Sequence, residues 1–203
     1  VQQKSKKAFK YMKFVELNLH IQIIRYNKIR KIERSITMNT ADYFIKNLDM
    51  TPHPEGGFYK EIYASEENIT SKDLKVDFEG SRILWTSIYF LLRDGEVSNF
   101  HRLKSDEMWY YHSGSPLTIY MISPKGEFVT EQLGLDIENG EKPQVLVPKD
   151  YIFGSAMNHK GYALVGCMVS PGFEFRDFEL FKRNDLIEKY PQHQQIIHKL
   201  TSN

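Results

Sequence analysis

The chain has 203 residues, 41% of them hydrophobic and 13% aromatic, and a formal net charge of +1. That length suits one domain with a sizeable core and is short for two, and that composition excludes a disordered polymer. The charge is uneven: residues 1–37 carry ten Lys/Arg and two Glu, whereas the remainder carries seventeen Lys/Arg and twenty-four Asp/Glu, so the body is mildly acidic and has no basic stripe of the kind that binds nucleic acid.

Residues 1–37 contain no Gly and no Pro. Phe14, Leu17, Ile21 and Ile24 fall at helical spacing, which would suit a basic amphipathic or targeting helix. The preferred expectation is a translated leader or a disordered basic extension. Glu33-Arg34-Ser35 can be encoded by a ribosome-binding sequence, Ile36 and Thr37 supply a spacer, and the native body then starts at Met38. Residues 38–203 are expected to form a single domain. No apolar run is long enough to span a bilayer, so no membrane association is expected.

In the body, Thr40 is placed to cap a helix over Ala41–Leu48. Thr51-Pro52-His53-Pro54-Glu55-Gly56-Gly57 cannot continue it and reads as a shaped turn. Phe58–Tyr63 alternates as a strand, and 66–80 reads as an exposed loop. From Arg82 the pattern is almost entirely β, with strands expected near 82–92, 97–103, 107–112, 116–122, 127–133, 144–148, 151–157, 162–169 and 173–180, separated by Gly, Pro, Asn and Asp turn signals. Many short strands at near-regular spacing imply a sandwich or barrel. A final helix is expected to be capped by Asn184 or Asp185 and broken by Pro191. Cys167, the one cysteine, lies in an apolar run and reads as a small buried hydrophobe, which fits a reducing cytoplasm.

The stretch with the most chemical content is Gly95, five residues, His101-Arg102-Leu103, three residues, Glu107, six residues, Gly114. Even offsets place Asn99, His101 and Leu103 on one strand face, and Glu107, Trp109 and Tyr111 on one face of the next. A tight return would bring His101 and Glu107 together.

This spacing resembles the first motif of the cupin superfamily, whose fold is a jelly-roll barrel of antiparallel strands. Leu103 stands where a metal-binding cupin has its second histidine. The second cupin motif, Pro-x-Gly-x-x-His, is here Pro148-Lys149-Asp150-Tyr151-Ile152-Phe153, so Asp150 replaces the glycine and Phe153 the last histidine. His53-Pro54-Glu55-Gly56-Gly57-Phe58-Tyr59, Phe100–Leu103, Asp106-Glu107-x-Trp109, Val147-Pro148 and Pro171–Phe178 together resemble one subfamily of small cupins, similar in fold to dTDP-sugar epimerases, over roughly residues 40–192. The resemblance implies an all-β cupin jelly roll with short N- and C-terminal helices, and a pocket rather than a particular reaction.

The resulting functional expectation is a cytoplasmic cupin that binds a small polar metabolite, carbohydrate or nucleotide-sugar. His101, oriented by Glu107, would act as base and Tyr111 or Tyr59 as acid, in epimerase or isomerase chemistry. Glu55, Tyr59, Asn99, Trp109 and Phe153 are the expected ligand-binding residues. No cofactor is expected, because Leu103 and Phe153 remove two of four metal donors. His112, the nearest spare nitrogen donor, should face away from His101. A non-catalytic ligand-binding or sensing module is the first alternative, and a metal-dependent dioxygenase or isomerase using His101, Glu107 and waters is the second. Pairing into a homodimer is expected, with the Pro171–Phe178 segment offering exposed aromatics.

Overall fold

The computed structural model describes residues 22–30, 40–70, 72, 74, 78 and 80–202. Residues 22–30 are helical (α1) and exposed throughout. The rest of the expected leader and the start at Met38 lie outside the described residues.

Two antiparallel sheets face each other in a jelly-roll arrangement. One is six-stranded and runs β1 (Thr51–Pro52), β2 (Phe58–Ala64), β5 (Thr86–Arg93), β12 (Tyr162–Ser170), β7 (Asp106–Gly114), β10 (Gln144–Val147). The other is five-stranded and runs β13 (Glu179–Leu180), β6 (Val97–Arg102), β11 (Ile152–Met157), β8 (Leu117–Ile122), β9 (Phe128–Leu133). β3 (Asn68–Thr70) and β4 (Ser81–Ile83) form a separate hairpin inside what the sequence reads as loop and strand. The expected strand at 173–180 is instead a 3-10 turn at Phe175–Asp177 followed by the two-residue β13. Its aromatic density reflects packing inward rather than pairing along a ladder.

The main core lies between the sheets and is built from inward positions of both, including Phe90, Leu92, Trp109, Ile119, Val145 and Val165. Each sheet has a helical cover on part of its outer face. α2 (Ala41–Asn47), capped by Thr40 Oγ1 accepting from Tyr43 N at 3.2 Å, packs Phe44, Ile45 and Leu48 against Leu91, Tyr162 and Leu164. α3 (Arg183–Lys189) and α4 (Gln194–Lys199) pack Leu186, Tyr190 and Ile197 against Phe100, Ile122 and Ile152. Asn184 and Asp185 fall within α3 rather than at its cap, and Lys182 takes the cap position without a side-chain bond.

One irregularity decides which side chains reach the interior. Along β6, Ser98 pairs with Ser155 and His101 pairs with Phe153, so Asn99 and Phe100 together oppose the single residue Gly154. This β-bulge reverses the alternation in the middle of the strand. Ser98 and His101 both turn toward Glu55, while Asn99, expected on the His101 face, is displaced from it. A Cβ on Gly154 would lie 2.5 Å from the Ser98 carbonyl oxygen, so the bulge closes only against a glycine. Gly154→Ala is expected to lower the unfolding free energy by about 1–3 kcal/mol through this backbone overlap, measured by urea denaturation. A stability unchanged within error would show that the bulge is not held by the missing side chain.

Candidate functional site

The turn between β1 and β2 carries the chain from His53 to Gly57. His53 N donates to Gly57 O at 3.0 Å and Gly56 N donates to His53 O at 3.0 Å. Gly56 and Gly57 have φ of 110° and 67°, and a Cβ on either would collide with the carbonyl oxygen of Val97 or Leu91. These glycines let the turn press against β5 and β6 and bring Glu55 to the bulge. There Asn99 N and Asn99 Nδ2 both donate to Glu55 O, at 2.8 and 2.6 Å.

The Glu55 carboxylate, 5% exposed, is the hub of the site. Ser98 Oγ donates to Oε1 at 2.9 Å. His101 Nε2 lies 3.2 Å and His53 Nδ1 3.3 Å from Oε2. His101 Nδ1 faces the Asn99 carbonyl oxygen at 2.8 Å, which can only accept, so that nitrogen carries a proton. The contact between Nε2 and Oε2 then requires a second proton, shared by imidazole and carboxylate. Burial acts to raise the Glu55 carboxyl, but the His101 and His53 imidazoles and the Ser98 hydroxyl outweigh it and hold it below the ordinary carboxylate value. Burial, the largest influence on His101, acts to depress its imidazole, against the pull of Glu55 and the Asn99 carbonyl.

Glu107 projects into the same cavity from β7 of the facing sheet, and its environment is the reverse. Burial, reinforced by the charge of Glu55, pushes its carboxyl from 4.5 up to about 8. The neighbouring Trp109 indole N–H and Cys167 thiol favour the ionised form but do not offset this. Glu107 Oε2 and Trp109 Nε1 are both buried and neither has a well-formed hydrogen bond to protein. Burial and the two carboxyls push the Cys167 thiol far up, so it stays protonated.

Between these walls lies a cavity of about 280 Å³, lined by both hub imidazoles, Glu55, Glu107, Leu103, Tyr59 and a set of aromatic rings. Phe173, Phe175 and Phe178 close one side. Phe175 stacks on His53 with ring centres 6.3 Å apart, and Phe178 sits 5.3 Å from His101. Their segment is fixed by a buried two-point ion pair, Arg82 Nε to Asp177 Oδ2 at 2.6 Å and Arg82 Nη2 to Asp177 Oδ1 at 2.9 Å. The aromatics expected to be exposed for pairing therefore turn to the cavity, except Phe175, which is 56% exposed at its edge.

Several sequence expectations change here. His101 and Glu107 line one cavity, but the carboxylate on the imidazole is Glu55; no hydrogen bond joins His101 to Glu107 among the described residues. Glu55, Tyr59 and Trp109 line the cavity. Asn99 does not, and serves to fix the Glu55 backbone and the His101 ring. Phe153 packs at a tilt behind His101, ring centres 4.0 Å apart, rather than on the cavity surface. Tyr111 is also outside: four residues place it ~13 Å along β7 from Glu107, and its hydroxyl donates to Gly114 O at 2.6 Å. His112 is exposed, packs edge-on to Tyr89 and does not line the cavity. His53, Ser98 and the Arg82–Asp177 pair are the residues at or around the cavity that strand parity did not single out. His53 sits beside Glu55 in the turn, but nothing in the spacing ties that turn to β6.

The four-donor metal set of the resembling family does not fit this cavity. Leu103 and Phe153 place hydrocarbon at two donor positions, and His101 Nε2 is engaged by Glu55. Among the described residues no group of three or more His, Cys, Asp or Glu side chains converges with metal-ligand geometry.

A family model described as "Cupin superfamily (DUF985)" matches residues 42–181. Protein SO0799 of Shewanella oneidensis has a solved structure that is 59% identical, covers 81% of this chain and 99% of that chain, and superimposes with a TM-score of 0.74. A hypothetical protein from Leishmania major is 39% identical, with coverage of 81% and 100% and a TM-score of 0.74. The yeast "Uncharacterized protein YML079W" (Saccharomyces cerevisiae) is 26% identical over 158 residues, 72% of this chain and 78% of that one. Among the described residues no helix is long and apolar enough to cross a membrane.

The raised Glu107 carboxyl has a direct thermodynamic consequence. The folded state holds a proton that the unfolded state releases between pH 4.5 and about 8, so this contribution is complete below pH 4.5 and is lost as pH rises through 8. Glu107→Gln is expected to be about as stable as the parent at pH 4.5 and more stable at pH 9, by on the order of a few kcal/mol. Parallel stability curves for the two proteins over this range, from denaturant titrations, would show that Glu107 ionises normally.

Proposed function

The chain belongs to the DUF985 family of the cupin superfamily, and on that premise we propose that it is a metal-independent acid–base enzyme, an isomerase or epimerase working beside the carbonyl of a small carbohydrate-like metabolite. The observation that carries this reading is a pair of carboxyls on one enclosed cavity with opposite protonation. Glu55 is held ionised by imidazoles, and Glu107 is held protonated by burial. Environments that push two titratable groups apart supply the acid and the base of a proton-transfer reaction.

The roles follow from which atoms are committed. His53 Nδ1 lies 3.3 Å from Glu55 Oε2 and 3.4 Å from Glu55 N. In the tautomer whose Nδ1–H donates to the carboxylate, Nε2, which makes no hydrogen bond among the described residues, is the base that takes the proton from the carbon next to the carbonyl. Glu55 stabilises the imidazolium that forms. Glu107, from the facing sheet, gives its proton to the carbonyl oxygen as the enediol develops. Return of a proton to carbon and of the enediol proton to Glu107 completes the exchange. His101, bonded on both ring nitrogens, is a positioning residue that fixes Glu55. Tyr59 meets His53 edge-on at 4.8 Å and borders the ligand. The cavity, about 280 Å³, is just below the usual pocket range of about 300–1,000 Å³. It would enclose a monosaccharide unit and leave the nucleotide of a nucleotide-sugar outside.

The hydrocarbon at Leu103 and Phe153 favours one competing reading, a binding module that has lost its chemistry. Incubating the protein in deuterium oxide with a panel of aldoses and ketoses separates the two. The enzyme reading requires deuterium at the carbon next to the carbonyl, seen by NMR, and a loss of about 10²–10⁴-fold in that rate for His53→Ala and for Glu107→Gln. Exchange that survives both substitutions, or no exchange into any bound sugar, would leave only the binding module.

A further inference from the structure

We propose that the cavity selects an electrically neutral polyhydroxy carbonyl compound, anchored by a donor and acceptor on one strand, Trp109 Nε1–H and Glu107 Oε2. This rests on the acid–base reading of the same site and names its substrate class. Trp109 is 1% exposed and Glu107 6% exposed, and the two side chains are neighbours on the inward face of β7. Burying a polar atom without a well-formed hydrogen bond is costly, and here two such atoms belong to residues that line one cavity, close enough for the indole to favour the ionised carboxyl but not in full hydrogen-bond geometry with it. An indole N–H can only donate, and the carboxyl oxygen beside it can accept. A hydroxyl next to a carbonyl offers both complements at the spacing of adjacent atoms, and a hydrocarbon offers neither.

The charge of the ligand follows from the charges already matched. No Lys or Arg lines the cavity among the described residues, and its two imidazoles are already turned to Glu55, so no permanent cation there answers a phosphate or a carboxylate. The Glu55 charge is taken up by two imidazoles and a hydroxyl. Glu107 and Cys167 keep their protons. That leaves no unmatched anion in the interior for an ammonium group. Glu61, also on the lining, is exposed, and its charge is screened by water. Phe173, Phe175 and Phe178 supply flat apolar faces against which the C–H face of a sugar ring can lie.

The test uses matched triads of a neutral hexose, the corresponding 2-amino hexose and the corresponding uronate, with binding measured by calorimetry and ligand-observed NMR on the full chain. In at least one triad the neutral hexose is expected to bind at least tenfold more tightly than either charged member. Trp109→Phe, which keeps the ring and removes the N–H, is expected to weaken that binding about tenfold. Glu107→Leu provides a second arm, with the same direction and size, should Trp109→Phe fail to fold. Glu107→Gln keeps a donor and an acceptor, and is expected to retain binding within severalfold while deuterium exchange is lost. A charged member that binds as tightly as the neutral one, anchor variants that bind unchanged, or no binding of any hexose would overturn the proposal. Binding without exchange would instead remove the acid–base reading and leave the ligand class standing, and exchange confined to charged sugars would do the reverse.

Discussion

The site depends on a single buried carboxylate that belongs to no strand. Glu55 is carried on a turn, yet its side chain joins a serine, two imidazoles and, through its own carbonyl, an asparagine from β6. A charge this deeply enclosed persists only if its oxygens are fully partnered. The β6 bulge, the paired glycines and the close approach of the turn all serve that requirement. Without the bulge, Ser98 and His101 would lie on opposite faces of β6, and only one of them could reach Glu55.

The two carboxyls of the cavity show how burial has opposite consequences depending on company. Both are nearly inaccessible. Glu55 is surrounded by groups that stabilise its charge, whereas Glu107 meets an indole, a thiol and the field of Glu55 itself. Ionising the first makes it harder to ionise the second, so the two carboxyls titrate as a coupled pair within one enclosure. Hydrocarbon side chains at Leu103 and Phe153 fit this arrangement. Phe153 packs directly on His101 and holds the ring that fixes Glu55, so a hydrocarbon at that position has a structural task.

The outer architecture serves the same interior. The aromatic segment Phe173–Phe178 has no ladder of its own to hold it over the cavity, and the Arg82–Asp177 pair supplies the anchor from β4. Helices on the far faces of both sheets bury residues such as Leu91 and Phe100, which lets the strands bearing the cavity be apolar on one side and carry titratable groups on the other. The resulting division, helical cover outside and titratable groups inside, is what confines polar chemistry to one cavity.

Much of the fold was legible along the chain. Thr40 as a cap, the hairpin glycines and the alternation from Thr86 to Met168 act over a few residues, and local sterics and burial decide them. The presence of His101, Glu55, Glu107, Tyr59 and Trp109 on a common site was also readable, from the motif resemblance. What sequence could not settle was who pairs with whom. Period-two counting assigned Asn99 to the His101 face, which failed because a bulge is set by a contact 55 residues away, at Gly154. The expected tight return assigned Glu107 to the His101 ring, whose Nε2 is instead met by Glu55 from the turn. Tyr111 had the right parity and the wrong depth, since parity fixes a face and not a distance along the barrel. Local chemistry thus determined the elements and the candidate side chains, while the long-range approach of a turn to a bulged strand decided which carboxyl meets the imidazoles and which keeps its proton.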